Sequence, residues 1–210
     1  VRADLVVDSG TFTKGGLPED LVAQISGLEP VTAASGWQIG RGWVGARPVR
    51  MTGFDMARFG ELMNPTWVGP APGPLDESSV LVSSRLADEI GLQVGASVPV
   101  TFTSTGAENL RVAGVYRSGE LLLGDMVLDR AVLSRQVPAT TDIAALVALS
   151  PDDAATRAQV EELASRSGVS SVLRPDAFVE RRSEVLTGFQ RVIEWMLLFT
   201  LVQALIGVVN

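Results

Sequence analysis

The sequence predicts an α+β fold that runs into a membrane-directed helix, and three observations carry this. A strand–helix–strand pattern occurs near each end of the 210 residues, a β-rich stretch lies between the two, and the last fifteen apolar positions show no polar stripe. Two βαβ-like halves sharing one sheet cover one face with two helices, the ferredoxin-like arrangement.

The first half opens with Asp4 to Asp8 (DLVVD), a short apolar run bounded by Ser9-Gly10, which reads as a strand. Pro18-Glu19-Asp20 opens a helix, with proline at the first position and acids complementing the dipole. Leu21, Val22, Ile25 and Leu28 form its apolar face, Gly27 and Pro30 end it, and Val31 to Ile39 is the next strand. The second half repeats this order. Ala144 to Leu149 is a strand, and Ser150-Pro151-Asp152-Asp153 has the form of a capping box with proline at the first helical position. Val160, Leu163 and Ala164 make the helix face, Gly168 closes it, and Val169 to Leu173 is the last strand.

Between the halves, Pro65 to Asp76 holds four prolines and two glycines and forms a loop boundary. Ser79 to Val82 is a strand, and Ser84 caps a helix that presents Leu86, Ala87 and Ile90 and ends at Gly91. Val98, Val100 and Phe102 alternate with Pro99, Thr101 and Thr103, so this strand is half-buried, and Pro99 makes it an edge strand or the start of one. The chain turns at Ser104 to Glu108 and returns through Leu110, Val112 and Tyr116, and Met126 to Leu128 adds a short strand. The middle therefore reads as an inserted small barrel or sheet. The expected parts are 1–75 with 138–175, an insert at 76–137, and a helix at 176–210.

Asp176 to Arg191 alternates apolar Phe178, Val179, Val185, Leu186 and Phe189 with Glu180, Arg181, Arg182, Glu184 and Gln190. It leads without proline into Trp195 to Val209 (WMLLFTLVQALIGVV), read as the beginning of a transmembrane helix. As one helix, Asp176 to Asn210 would be about 52 Å long. The bilayer core takes about 30 Å of that, which leaves a stalk carrying Glu180, Arg181, Arg182, Glu184 and Arg191. The span comprises Trp195, Leu197, Leu198, Phe199, Leu201, Val202, Leu205, Ile206 and Val208, with the lipid bilayer as partner. The arginine flank by itself favours the cytoplasmic side, although large domains translocate largely regardless of charge.

Composition narrows the function. Net charge is −7, and no cationic run exceeds Arg181-Arg182, so nucleic acid is not an expected partner. There is no cysteine, no histidine and a single lysine, Lys14, which removes disulfides, thiolate metal sites, the Ser-His-Asp triad and H-E-x-x-H zinc chemistry. No catalytic residue, metal or cofactor is expected, and the enzymatic alternative is a carboxylate-only mechanism. Gly40-Arg41-Gly42-Trp43-Val44-Gly45 matches G-x-G-x-x-G, but Pro48 and the β-like Val49 to Thr52 follow where a dinucleotide site needs a helix. A glycine-rich hairpin is expected instead. The adjacent acids Glu19-Asp20, Asp152-Asp153 and Glu161-Glu162 read as helix-terminal or solvated groups. Trp37, Trp43 and Trp67 are candidate partner contacts if exposed.

Val80 to Gly119 (VLVSSRLADEIGLQVGASVPVTFTSTGAENLRVAGVYRSG) resembles the core of FtsX-like and MacB-like ABC transporter permeases. The resemblance lies in Leu86-Ala87, Ile90-Gly91-Leu92, Val94-Gly95, Val98, Val100, Val112 and Gly114-Val115-Tyr116, with Leu28-Glu29-Pro30-Val31 before them and Gly207-Val208-Val209-Asn210 after. Ala96 departs from the aspartate usual in that family after Val-Gly. The resemblance implies a discontinuous porter-like α+β part with a β-rich insert, on the extracytoplasmic side of a multi-pass cell-membrane protein. It implies as partners a cytoplasmic ABC ATPase subunit, a second permease half or homodimer mate, and an extracytoplasmic protein, lipoprotein or peptide. The implied role is to couple ATP hydrolysis to export, lipoprotein or peptide handling, or mechanical signalling. The alternatives are a single-pass membrane-anchored binding or sensor domain, and a permease-type regulator of a cell-wall hydrolase.

Overall fold

The computed structural model describes residues 1–10, 16–104, 106–117, 120–136, 141–181, 196, 197 and 200. Val1–Leu173 forms one unit and Arg174–Asn210 a second.

In the first unit, β1 (Leu5–Asp8), α1 (Leu21–Ser26) and β2 (Val31–Val44) come from one end of the sequence, and β8 (Ala144–Leu149), α6 (Ala154–Arg166) and β9 (Ser171–Leu173) from the other. They interleave in the order β9-β1-β8-β2, and each neighbouring pair is antiparallel. The two strands of each half are therefore parallel to one another with a strand of the other half between them. Neither half can form its sheet alone. Leu21, Val22 and Ile25 of α1 and Val160 and Ala164 of α6 pack over Leu5, Val7, Ala145 and Val147. This is the predicted ferredoxin-like layer. The short helix α2 (Phe59–Leu62) packs against β2 and β8, so the second face of the sheet also carries a covering element, which the sequence pattern did not indicate.

The helix starts differ in detail from expectation. Asp153, not Ser150, is the cap of α6: its side chain accepts from Thr156 N at 2.9 Å, and Thr156 Oγ1 accepts from Asp153 N at 3.1 Å. The Ser150–Pro151 peptide is cis and Pro151 lies outside the helix. Likewise α3 (Ser84–Ile90) is capped by Ser83, one residue before the position expected, and ends at Gly91.

The middle of the chain closes into a barrel. After β3 (Arg47–Phe54) come β4 (Ser79–Ser83), β5 (Ser97–Phe102), β6 (Gly106–Tyr116), α4 (Glu120–Leu123) and β7 (Met126–Asp129), and α5 (Arg130–Gln136) follows. Going round, β2 pairs with β3, β3 with β7, β7 with β4, β4 with β6, β6 with β5, and β5 with β2 again. Closure leaves no open edge among these six strands. The interior holds Met51, Val80, Val82, Val98, Val100, Phe102, Leu110, Val112, Met126 and Leu128, with Leu86 and Ala87 of α3 and Val132 and Leu133 of α5 joining the same core. β5 alternates buried and exposed residues as predicted, and its pairing with β2 begins at Val100, so Pro99 faces no partner on that side.

Fourteen residues long, β2 serves both layers: Val31 to Trp37 pairs with β8, and Gln38 to Val44 pairs with β3. The barrel thus includes the end of β2 and all of β3, which lie before the boundary expected at residue 76.

In the second unit, residues 175–181 are helical, with an Arg174–Asp176 ion pair at 3.8 Å. Met196, Leu197 and Thr200 are helical and exposed, and Thr200 Oγ1 donates to Met196 O at 2.7 Å. Among the described residues no helix is long and apolar enough to cross a membrane. Most of the helix expected over Asp176 to Asn210 lies outside the described residues.

Candidate functional site

The G-x-G-x-x-G stretch is strand and hairpin, as expected. Gly40 and Gly42 lie in β2, and Val44 pairs with Arg47 across the two-residue turn Gly45-Ala46, where Gly45 has φ +60°. A Cβ on Gly40 would stand 2.6 Å from Leu133 Cδ1 of α5, and one on Gly42 2.6 Å from Thr101 O. Two of the motif's glycines are therefore required by close packing within the barrel, and a strand follows where a phosphate site would need a helix N-terminus.

The three tryptophans are not brought together. Trp37 is buried (3% exposed), and its ring stacks on Phe54 at 6.1 Å, so it offers no surface to a partner. Trp43, beside the β2–β3 hairpin, is 36% exposed. Trp67 is half-buried and bridges Tyr116, with the flanking bonds Val68 N to Val115 O and Arg117 N to Thr66 O holding the proline-rich segment along β6. Phe59 lies 6.5 Å from the Trp67 ring and 5.9 Å from Phe54. An aromatic row thus runs from the core at Trp37 outward to Trp67. There a cleft of about 340 Å³ opens among Arg2, Met56, Phe59, Met63, Trp67 and Pro72. Among the described residues, Arg2 is the one ionisable side chain lining it, and its guanidinium donates to Gly60 O at 3.1 Å. Its lining is polar and apolar in equal part, with Asn64 and the Arg2 cation beside the aromatic rings, a mixture that suits contact with another molecule.

A polar cluster that the sequence did not reveal lies where β2 passes from one layer to the other. Asp142, just ahead of β8, is buried, and Arg130 at the start of α5 grips it with both arms: Nε to Oδ1 at 2.9 Å and a terminal nitrogen to Oδ2 at 2.8 Å. Gln38 lies beside this pair, and its Oε1 accepts from Ser134 Oγ at 3.0 Å. Burial pushes the Asp142 carboxyl above its usual range, although Arg130 and Gln38 pull the other way. Gly36 leaves room for it, since a Cβ there would stand 2.3 Å from Asp142 Oδ2. In the sequence, Asp142 is one more acid ahead of an apolar strand, and nothing near it marks a partner twelve residues away.

The adjacent acids behave as solvated or terminal groups. Glu19, Asp20 and Glu161 are exposed, Asp152 pairs with Arg157, and Glu162 pairs with Arg166. The backbone N–H of Thr156 lowers the Asp153 carboxyl, and hydrogen bonds from Ser79 and Ser78 lower Asp76. Among the described residues no group of three or more Asp, Glu, His or Cys could hold a metal ion. Of the expected stalk residues, Glu180 and Arg181 are exposed on the helix at 175–181, whereas Arg182, Glu184 and Arg191 lie outside the described residues. Of the expected span, Leu197 is described and exposed. Trp195, Leu198, Phe199, Leu201, Val202, Leu205, Ile206 and Val208 lie outside.

Neither a family model nor a curated protein sequence matches the chain. Solved structures do. The periplasmic region of MacB from Actinobacillus actinomycetemcomitans superposes with a TM-score of 0.62 at 14% identity, covering 87% of this chain and 93% of that one. The chain has the fold of the MacB periplasmic region. The MacB-like fold also appears in the extracellular domain of the noncanonic ABC-type transporter YknZ from Gram-positive bacteria, with a TM-score of 0.56 at 11% identity over 82% and 98% of the two chains. A domain of a candidate permease protein from Porphyromonas gingivalis gives 0.51 at 15% identity over 79% and 83%.

Proposed function

We propose that this chain is the extracytoplasmic domain of an ABC transporter permease subunit, and that it couples cytoplasmic ATP hydrolysis to work outside the membrane. The observation that carries the reading is the extent of the fold match. The shared fold covers 93% of the MacB periplasmic region and 98% of the YknZ extracellular domain, so it includes both the ferredoxin-like layer and the barrel. In this reading the domain does no covalent chemistry. It presents contact surfaces, and the helix expected over 176–210 ties it to the bilayer as a multi-pass protein. Its partners are a cytoplasmic ABC ATPase subunit, a second permease half or homodimer mate, and an extracytoplasmic protein, lipoprotein or peptide. The cleft at Trp67 and Arg2 is the surface best suited to the last of these.

The test is coupling in the full-length protein. A Gly-Gly insertion beside Ser183 makes the stalk flexible. ATP hydrolysis should continue in membranes carrying the variant while the output of the system is lost. Unchanged ATP-driven output after that insertion would overturn the rigid-lever reading.

A further inference from the structure

The two layers of the first unit have separate apolar cores, one between the sheet and α1/α6 and the other inside the barrel. Their junction runs through β2. The ladder of β2 changes partner between adjacent residues: Trp37 is the last to pair with β8, and Gln38 the first to pair with β3. Because successive strand residues point to opposite faces, Gly36 and Gln38 lie on one face of this crossing and Ser35 and Trp37 on the other. The second face holds the Trp37–Phe54 stack and the bond from Asp55 N to Ser35 Oγ at 2.9 Å. The first face holds the polar cluster, in which Gln38 and Asp142 are buried, Arg130 is half-buried and Ser134 is exposed. In it, Arg130 and Ser134 belong to α5, which packs on the barrel, while Asp142 leads into β8 and its carbonyl accepts from Leu17 N at 2.6 Å.

We propose that the two-armed Arg130–Asp142 pair, with the Ser134–Gln38 hydrogen bond beside it, is a clamp that sets the angle between the barrel and the ferredoxin-like layer, with the β2 crossing as the hinge it holds shut. Apolar contacts are non-directional. A two-armed arginine–carboxylate pair fixes a geometry, and the absence of a side chain at Gly36 makes room for the carboxylate in this position. An ion pair with one buried partner is a weak source of net stability, and fixing one arrangement is the better-attested use of such a group. The inference rests on the permease reading only for its consequence, a lever whose upper joint can be locked or released. The joint itself is a property of this chain.

The test uses the whole chain, which has no cysteine of its own. Spin labels on Asn109→Cys in the barrel and Gln159→Cys on α6, both exposed sites, report the distance between the layers by double electron–electron resonance. Wild type should give one narrow distribution. Arg130→Lys, which keeps the charge but loses the two-armed grip, should broaden it, and Arg130→Met should broaden or displace it further. Where Arg130→Met does not fold, the Arg130→Met/Asp142→Asn double variant leaves no unpaired buried charge and should give the same displacement with intact near-UV circular dichroism. A wild-type distribution in Arg130→Lys together with either neutral variant would overturn the clamp. No ATPase or membrane enters this measurement, so its failure leaves the permease reading standing.

Discussion

Replacing Gly40 by alanine separates the two meanings of the glycine motif, because the structure gives this residue a neighbour rather than a ligand. The new Cβ would meet Leu133 Cδ1 at 2.6 Å, closer than real Cβ atoms approach any atom, and Leu133 is fully buried. Overpacking of this kind costs about 1–3 kcal/mol. Leu133→Ala opens a cavity and costs about 2–5 kcal/mol. Were the two sites independent, the double variant would lose the sum. They share one space, so the methyl group added by Gly40→Ala occupies part of the volume vacated by Leu133, and the pair should lose about 1–2 kcal/mol less than the sum. Urea unfolding of the four proteins, followed by far-UV circular dichroism with a common slope, gives the coupling directly. Additivity within about 0.5 kcal/mol would refute the packing account of the motif.

Three further outcomes rest on the same fold. The Arg130→Met variant should lose stability in a pH-dependent way. Burial raises the Asp142 carboxyl above 3.8 and Arg130 lowers it, so removing Arg130 raises it further, and the extra cost of ionising it is absent below 3.8, grows as pH rises toward the folded value and is complete above it. The melting-temperature deficit against wild type should therefore be smaller at about pH 4 than at about pH 7.5, and an equal or reversed deficit would contradict the burial argument. Asp153→Ala removes the acceptor for Thr156 N and should lower the urea midpoint, whereas Ser150→Ala, outside the cap, should lower it measurably less. Tyr116→Phe leaves Gly124 O without the phenolic donor at 3.0 Å inside a fully buried site, and should cost about 1–2 kcal/mol in the same titration.

The ferredoxin-like layer was legible because its evidence is local. The apolar spacing of Leu21, Val22 and Ile25 and of Val160 and Ala164 sets each helix face, and short β runs flank both helices. The β5 alternation was equally plain. What the sequence hid depends on contacts between distant segments. Gly40 and Gly42 weaken a strand reading until Leu133 and Thr101 fill the space beside them, so in the sequence β2 ends at Ile39 and the β-rich insert begins at residue 76. The seven residues of α5 put only Val132 and Leu133 into the core, too few to show a helical period. The Arg130–Asp142 pair joins two residues that each look like solvated charges in the sequence, and only the folded chain buries the carboxylate.

The central claim concerns the side of the membrane, and thiol accessibility in living cells tests it most directly. Thr103 lies exposed near the end of β5, and this chain offers no competing cysteine. Thr103→Cys in the full-length protein, with any cysteines elsewhere replaced, should react with a membrane-impermeant maleimide in intact cells as fully as after permeabilisation. Labelling that appears only once the cells are permeabilised would place the domain in the cytoplasm and contradict the account.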